Sequence, residues 1–96
     1  MSVGPSRELD GEGELYAIYV YPEAWGSGAG PQLMREARAW LTERFPGAIL
    51  WVLEDNPRAR GFYEREGWTA DAHRIDVVAG VEVPEVRYRV SFLGRR

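Results

Sequence analysis

The chain has 96 residues, 45% of them apolar, with four tryptophans and a net charge of −3, which suits one small packed domain and argues against disorder. It has no cysteine and a single histidine, so disulfides, thiolate metal sites, a cysteine nucleophile and multi-histidine metal centres are excluded. All 12 cationic residues are arginines, scattered singly apart from the terminal Arg95-Arg96 pair, with no basic stripe for nucleic acid, no apolar run near the ~20 residues of a membrane helix and no signal-peptide pattern; a soluble, cytoplasmic, metal-free protein is expected.

Residues 1–13 are polar and glycine-rich and read as a flexible segment or a remnant strand, with Ser2-Val3 as the possible strand tail. Residues 14–21 then gather Tyr16, Ile18, Tyr19, Val20 and Tyr21 before Pro22 stops the run, which reads as a buried strand with apolar faces on both sides. The turn Trp25-Gly26-Ser27-Gly28-Ala29-Gly30 follows, and its glycines allow close approach of backbone to a ligand. Beyond it Leu33, Met34, Ala37, Trp40, Leu41 and Phe45 recur at helical spacing, from Gly28 or Pro31 to Arg44. Phe45 precedes Pro46, which ends the helix. A strand, a glycine turn and a helix start aim free amide groups and the positive helix end at one place, an arrangement that binds phosphate; a plain turn is the alternative.

Residues 48–53 are a continuous apolar run and read as a second strand, parallel to the first through a βαβ crossover. Asn56 is a good N-cap with Pro57 in the first helical position, and Gly67 suits a left-handed stop, so a short helix is expected from Pro57 to Glu66. Residues 72–78 and 81–92 are β-prone, and the second alternates Val86, Tyr88, Val90 and Phe92 with Arg87, Arg89 and Ser91. Ala79-Gly80 joins them as an antiparallel hairpin.

The glycine turn does not fit two common phosphate motifs. A Walker loop needs Lys after its last glycine, and the chain has no lysine; a dinucleotide fingerprint needs a third glycine where Pro31 or Leu33 stands. It does resemble the acyl-CoA motif of the GNAT superfamily of N-acetyltransferases, Gln/Arg-x-x-Gly-x-Gly/Ala, with Gly28 and Gly30 in register and Trp25 in place of Gln or Arg. Backbone amide contacts to pyrophosphate survive that change. The segment Asn56-Pro57-Arg58-Ala59-Arg60-Gly61-Phe62-Tyr63-Glu64-Arg65-Glu66-Gly67-Trp68 is similar to the family's Asn-x-x-Ala-x-x-x-Tyr-x-x-x-Gly-Phe, with Trp68 standing for phenylalanine.

The resemblance covers residues 14–92, with 93–96 as a tail. It implies a partial GNAT-like α/β fold (an α+β mixed sheet), ordered strand-helix-strand-helix-hairpin, with a central parallel strand pair splaying for CoA. The implied activity is acetyl-CoA-dependent N-acetyl transfer by direct amine attack on the thioester. Acetyl-CoA would lie against the backbone of Ile18, Tyr19 and Val20, the turn Trp25, Gly26, Ser27, Gly28, Ala29 and Gly30, and Asn56 at the pantetheine arm. Tyr63 would protonate the departing thiolate; a packed helix residue is its alternative role. Glu14 lies fourteen residues before Gly28, the separation of the catalytic glutamate in histone-acetylating relatives. It competes as base with Glu54 and with an ordinary solvated role. Arg35, Arg58 and Arg60 could meet the CoA 3′-phosphate or be ordinary surface residues, and His73 reads as a surface residue. The acceptor is an unknown amine.

A complete GNAT fold has further strands and helices before the strand at Glu14. Their lack would leave that strand an exposed apolar edge. The expectation is therefore a truncated chain, or a homodimer in which another copy covers the edge. A CoA-binding or inactive remnant, and a phosphate-binding βαβ module for another nucleotide, stay open beside the enzyme.

Overall fold

The computed structural model describes residues 2–17 and 28–93. The elements are β1 (Ser2–Pro5), β2 (Gly13–Ala17), α1 (Ala29–Arg44), β3 (Gly47–Leu53), α2 (Pro57–Arg65), β4 (Thr69–Val78) and β5 (Val81–Ser91). They form a mixed sheet of order β1-β2-β3-β5-β4. The α/β class and the alternation of strand, helix, strand, helix and hairpin are as the sequence predicts. Two compact units share the chain, Met1–Ile49 with Ser91–Arg96, and Leu50–Val90.

In the first unit α1 buries Met34, Ala37 and Leu41 completely, the stripe that the helical spacing predicts. Phe45 is already extended at φ −138°, as a residue before proline prefers. Gly13 opens β2 because nothing larger fits: a Cβ there would lie 2.6 Å from Leu41 and 2.7 Å from Phe45. β2 runs parallel to β3, with Gly13 beside Ala48 and Glu14 beside Ile49. The expected splay of the pair further along concerns residues 18–21, which lie outside the described residues.

The expected bare edge on the far side of β2 is corrected. β1 pairs antiparallel with β2, setting Ser2 against Ala17, Val3 against Leu15, Gly4 against Glu14 and Pro5 against Gly13. Gly4 and Pro5 do not interrupt this strand. Pro5 stands at its last position, and Gly4 makes room for the Tyr16 ring, whose hydroxyl would be 2.9 Å from a Cβ and donates to the Pro5 carbonyl. The connecting loop is self-bonded: Ser6 N–H donates to the Glu12 carbonyl at 2.8 Å, and Ser6 Oγ accepts from the Glu8 and Leu9 amides. Arginines lie on aromatic rings in this unit, Arg7 on Tyr16 at 4.6 Å, Arg38 on Phe92 at 5.6 Å and Arg44 on Trp40 at 4.2 Å.

In the second unit the Asn56 side chain accepts from the Ala59 amide at 3.1 Å, capping α2. The helix closes as a Schellman motif. Trp68 N–H reaches the Tyr63 carbonyl at 3.0 Å, Gly67 N–H reaches that of Glu64 at 3.2 Å, and Gly67 has φ 95°. The accompanying apolar contact is Tyr63 on Trp68, ring centroids 6.5 Å apart. β4 and β5 pair from Thr69 with Arg89 to Val78 with Val81. Ala79 and Gly80 at φ 52° and 80° make the two-residue turn that suits a twisted hairpin. Arg74 pairs with Glu85 at 2.7 Å and Arg87 with Asp71 at 2.8 Å, and both guanidiniums lie over Trp51, at 3.9 and 6.0 Å. Ile75, Val77, Val78 and Val81 near the turn are exposed.

Candidate active site

The first unit contributes the start of α1. Ile18, Tyr19, Val20, Trp25, Gly26 and Ser27 lie outside the described residues; Gly28, Ala29 and Gly30 lie within them. Gly28 is the N-cap at φ 93°, ψ 0°, with no side-chain hydrogen bond to the helix and no acidic residue in the first turn. The opening bond is Gln32 N–H to the Gly28 carbonyl at 3.1 Å. The amides of Ala29 and Gly30 therefore belong to the set with no intrahelical acceptor, and Pro31 has no N–H to add. A Cβ on Gly28 would meet nothing within 4 Å. Among the described residues nothing caps or covers this electropositive helix end, the environment an anionic group favours.

Glu14, the other site residue of this unit, is not a solvated surface carboxylate. It is 4% exposed. Its Oε2 accepts from Arg7 Nη2 at 2.9 Å and its Oε1 from the Arg7 amide at 3.2 Å. The hydrogen bond and charge of Glu14 hold the Arg7 guanidinium above its ordinary value. Arg7 itself is largely exposed, while Glu14 lies on β2 between Gly4 of β1 and Ile49 of β3. The sequence reading did not include Arg7; its alternation of loop and strand residues held no signal for a partner seven residues away.

The second unit carries Asn56 and Tyr63 at opposite ends of α2. Asn56 performs the capping role in full, using its side-chain oxygen. The Tyr63 ring packs on Phe62, Trp68 and Tyr88 with centroids 5.6, 6.5 and 6.2 Å away. Burial pushes its phenol up from the ordinary value, so the group is a protonated donor throughout the neutral range. Arg60, a candidate for a phosphate contact, is engaged within the fold: Nε donates to Tyr88 Oη at 3.0 Å and Nη1 to the Glu54 carbonyl at 3.2 Å. Glu54 is exposed at the end of β3, and His73 and Arg35 are exposed. Tyr88 and Glu64 were not singled out by sequence. Their bond joins residues far apart in the chain, and only the alternation of β5 hints that Tyr88 faces inward. Among the described residues no group of three or more acidic, histidine or cysteine side chains could hold a metal ion.

The architecture is that of the acetyltransferase fold. The crystal structure of Arabidopsis thaliana NAA60 in complex with acetyl-CoA superposes with a TM-score of 0.75 at 16% identity, over 86% of this chain and 51% of that one; at that identity the likeness is one of fold. The signature of the Acetyltransferase (GNAT) family matches residues 3–68, and the chain belongs to that family. It is 38% identical over 88 residues to the "Uncharacterized N-acetyltransferase YuaI" of Bacillus subtilis (strain 168), covering 88% of this chain and 50% of that protein. It is 39% identical over 71 residues to the mycothiol acetyltransferase of Streptomyces griseus, covering 73% of this chain and 22% of that protein. The chain thus spans half the length of YuaI and less of the Streptomyces enzyme.

Proposed function

We propose that this chain is an acetyl-CoA-dependent N-acetyltransferase acting on an amine by direct attack on the thioester. The observation that carries the reading is the family signature over residues 3–68, which spans both motifs. It is supported by the local structures they adopt, an uncapped helix start at Gly28 and a capped short helix bearing Tyr63. The pyrophosphate of acetyl-CoA would take the amides of the 25–30 turn, and Asn56 would address the pantetheine arm. The backbone of residues 18–20 would donate to the carbonyl oxygen as it gains charge. The amine nitrogen forms a bond to the thioester carbon, the tetrahedral adduct collapses, and the C–S bond breaks. Tyr63 gives its proton to the sulfur, while the nitrogen loses one to a base.

Turnover tests this directly. Thiol release from acetyl-CoA should depend on the amine offered, in a panel of polyamines, amino acids and peptide N-termini. CoA binding without turnover on any amine would support the second reading, a CoA-binding domain without transfer activity. Selective thermal stabilisation by CoA over NAD or ATP is expected in either case.

Glu14 is the proposed base, with Glu54 as competitor. Glu14→Gln keeps an acceptor for the Arg7 amide and removes the proton-accepting charge. It should lower kcat by ~10²–10⁴-fold with the fold retained by circular dichroism. An unchanged kcat would pass the role to Glu54 or a water chain.

A homodimer and a cytoplasmic location complete the proposal. Since β1 covers β2, the support for association moves to β4, a ten-residue edge strand whose neighbourhood exposes Ile75 and Val77. Sedimentation at low micromolar concentration is the check, and a compact monomer would remove the dimer from the reading.

A further inference from the structure

We infer that Tyr88 is the positioning residue for Tyr63: gripped by Arg60 and Glu64, it fixes the rotation and axial place of α2 and so the reach of the Tyr63 phenol. The inference rests on the reading of Tyr63 as proton donor.

A helix of nine residues with no fully buried side chain does not hold its own place. Isolated helices of this length are unstable, and Gly61 in its interior weakens it further. Its N-terminal end is tied by Asn56 and its C-terminal end by the Schellman turn. Those bonds are internal to α2 and its flanks, so they define the helix without orienting it. Tyr88 supplies the orientation. Its side chain is fully buried on β5, and β5 is paired along its length with β4. The hydroxyl donates to Glu64 Oε2 at 2.6 Å and accepts from Arg60 Nε at 3.0 Å. Arg60 and Glu64 are four residues apart and so neighbours on one helix face. One oxygen held by both resists rolling and sliding of the helix. Arg60 adds a second tether through the Glu54 carbonyl at 3.2 Å, which joins the helix to the end of β3.

Tyr63 lies between the two gripping residues in sequence, and its ring contacts the Tyr88 ring at 6.2 Å between centroids. A proton donor must meet its acceptor within a few tenths of an ångström, and a misplacement of ~1 Å can cost ~10²-fold in rate. Tyr88→Phe keeps the buried ring and the contact with Tyr63 but releases Arg60 and Glu64 together.

The experiment is a four-protein cycle of wild type, Tyr63→Phe, Tyr88→Phe and the double variant, assayed by thiol release with a responsive amine. Tyr88→Phe should lower kcat ~10- to 10²-fold with acetyl-CoA KM little changed, and should cost nothing further in the Tyr63→Phe background. Glu64→Gln, which retains the fold with a weaker acceptor, should move kcat in the same direction. A tyrosine-ring NMR label gives a readout without turnover: the Tyr63 signal should shift and broaden in Tyr88→Phe while the Ala59 amide, held by the cap, does not. A wild-type kcat in Tyr88→Phe beside a slow Tyr63→Phe, an equal loss in both backgrounds, or an unmoved Tyr63 ring would overturn the inference. A wild-type kcat in Tyr63→Phe would instead overturn the reading it rests on.

Discussion

Tyr63→Phe is expected to lower kcat by ~10²–10⁴-fold, the usual contribution of a general acid, with little effect on acetyl-CoA KM. The ring contacts with Phe62, Trp68 and Tyr88 remain, so affinity and fold have no reason to change. The pH dependence follows from the same burial. An exposed phenol titrates near ~10, and burial raises that of Tyr63. The donor form is therefore complete below that range, and the loss attributable to Tyr63 begins only above it. Rate profiles from about pH 6 to ~10, the ordinary phenol value, check this: none of the loss over that span should trace to Tyr63. A wild-type profile and kcat in the phenylalanine variant would return Tyr63 to a packing role.

Gly28→Val carries the second large effect. The first-turn amides of α1 would make hydrogen bonds to a charged group, worth ~1.5–3 kcal/mol each. Blocking two of them should weaken CoA binding by ~10²-fold or more. Gly28 also has φ 93°, where any L side chain is strained whatever the space around it. Stability and affinity must therefore be separated, and Gly28→Ala does so. Both variants should melt lower, valine more because it is β-branched at a positive φ, and only valine should reach far enough into the open space to exclude a phosphate. Calorimetry on the three folded proteins is the measurement; equal affinity in Gly28→Val would sink the phosphate role of the turn.

Local signals brought most of the fold within reach of the sequence. The stripe through Met34, Ala37 and Leu41, the Asn56-Pro57 helix start, the stop at Gly67 and the Ala79-Gly80 turn each depend on residues within a few positions of one another. The structure places all of them as expected. What escaped was long-range or conditional. Gly4 and Pro5 are usual strand breakers, and their tolerance in β1 depends on the Tyr16 ring above one and the strand end at the other. Glu14 reads as solvated at a strand start because the strand that flanks it at Gly4 and its partner Arg7 both come from the polar N-terminal segment. Arg60 looked like a free cation because its acceptor, Tyr88, is 28 residues away. For the site, residue types and spacing gave the candidates, and the residues that hold Glu14 and α2 in place came only with tertiary contacts.

The arginines on Tyr16, Phe92, Trp40 and Trp51 have a chemical consequence beyond packing. Every side-chain cation in the chain is a guanidinium, planar enough to lie flat on a ring and protonated at any pH a cell reaches. Its nitrogen lone pairs are delocalised into the cation, which does not lose a proton in the cell, so none is free to open a thioester. Lysines at the same places would be latent acceptors for the very donor this family uses, and each modification would erase a charge and loosen a stacked contact. A surface built this way keeps its charge however much activated acetyl group surrounds it.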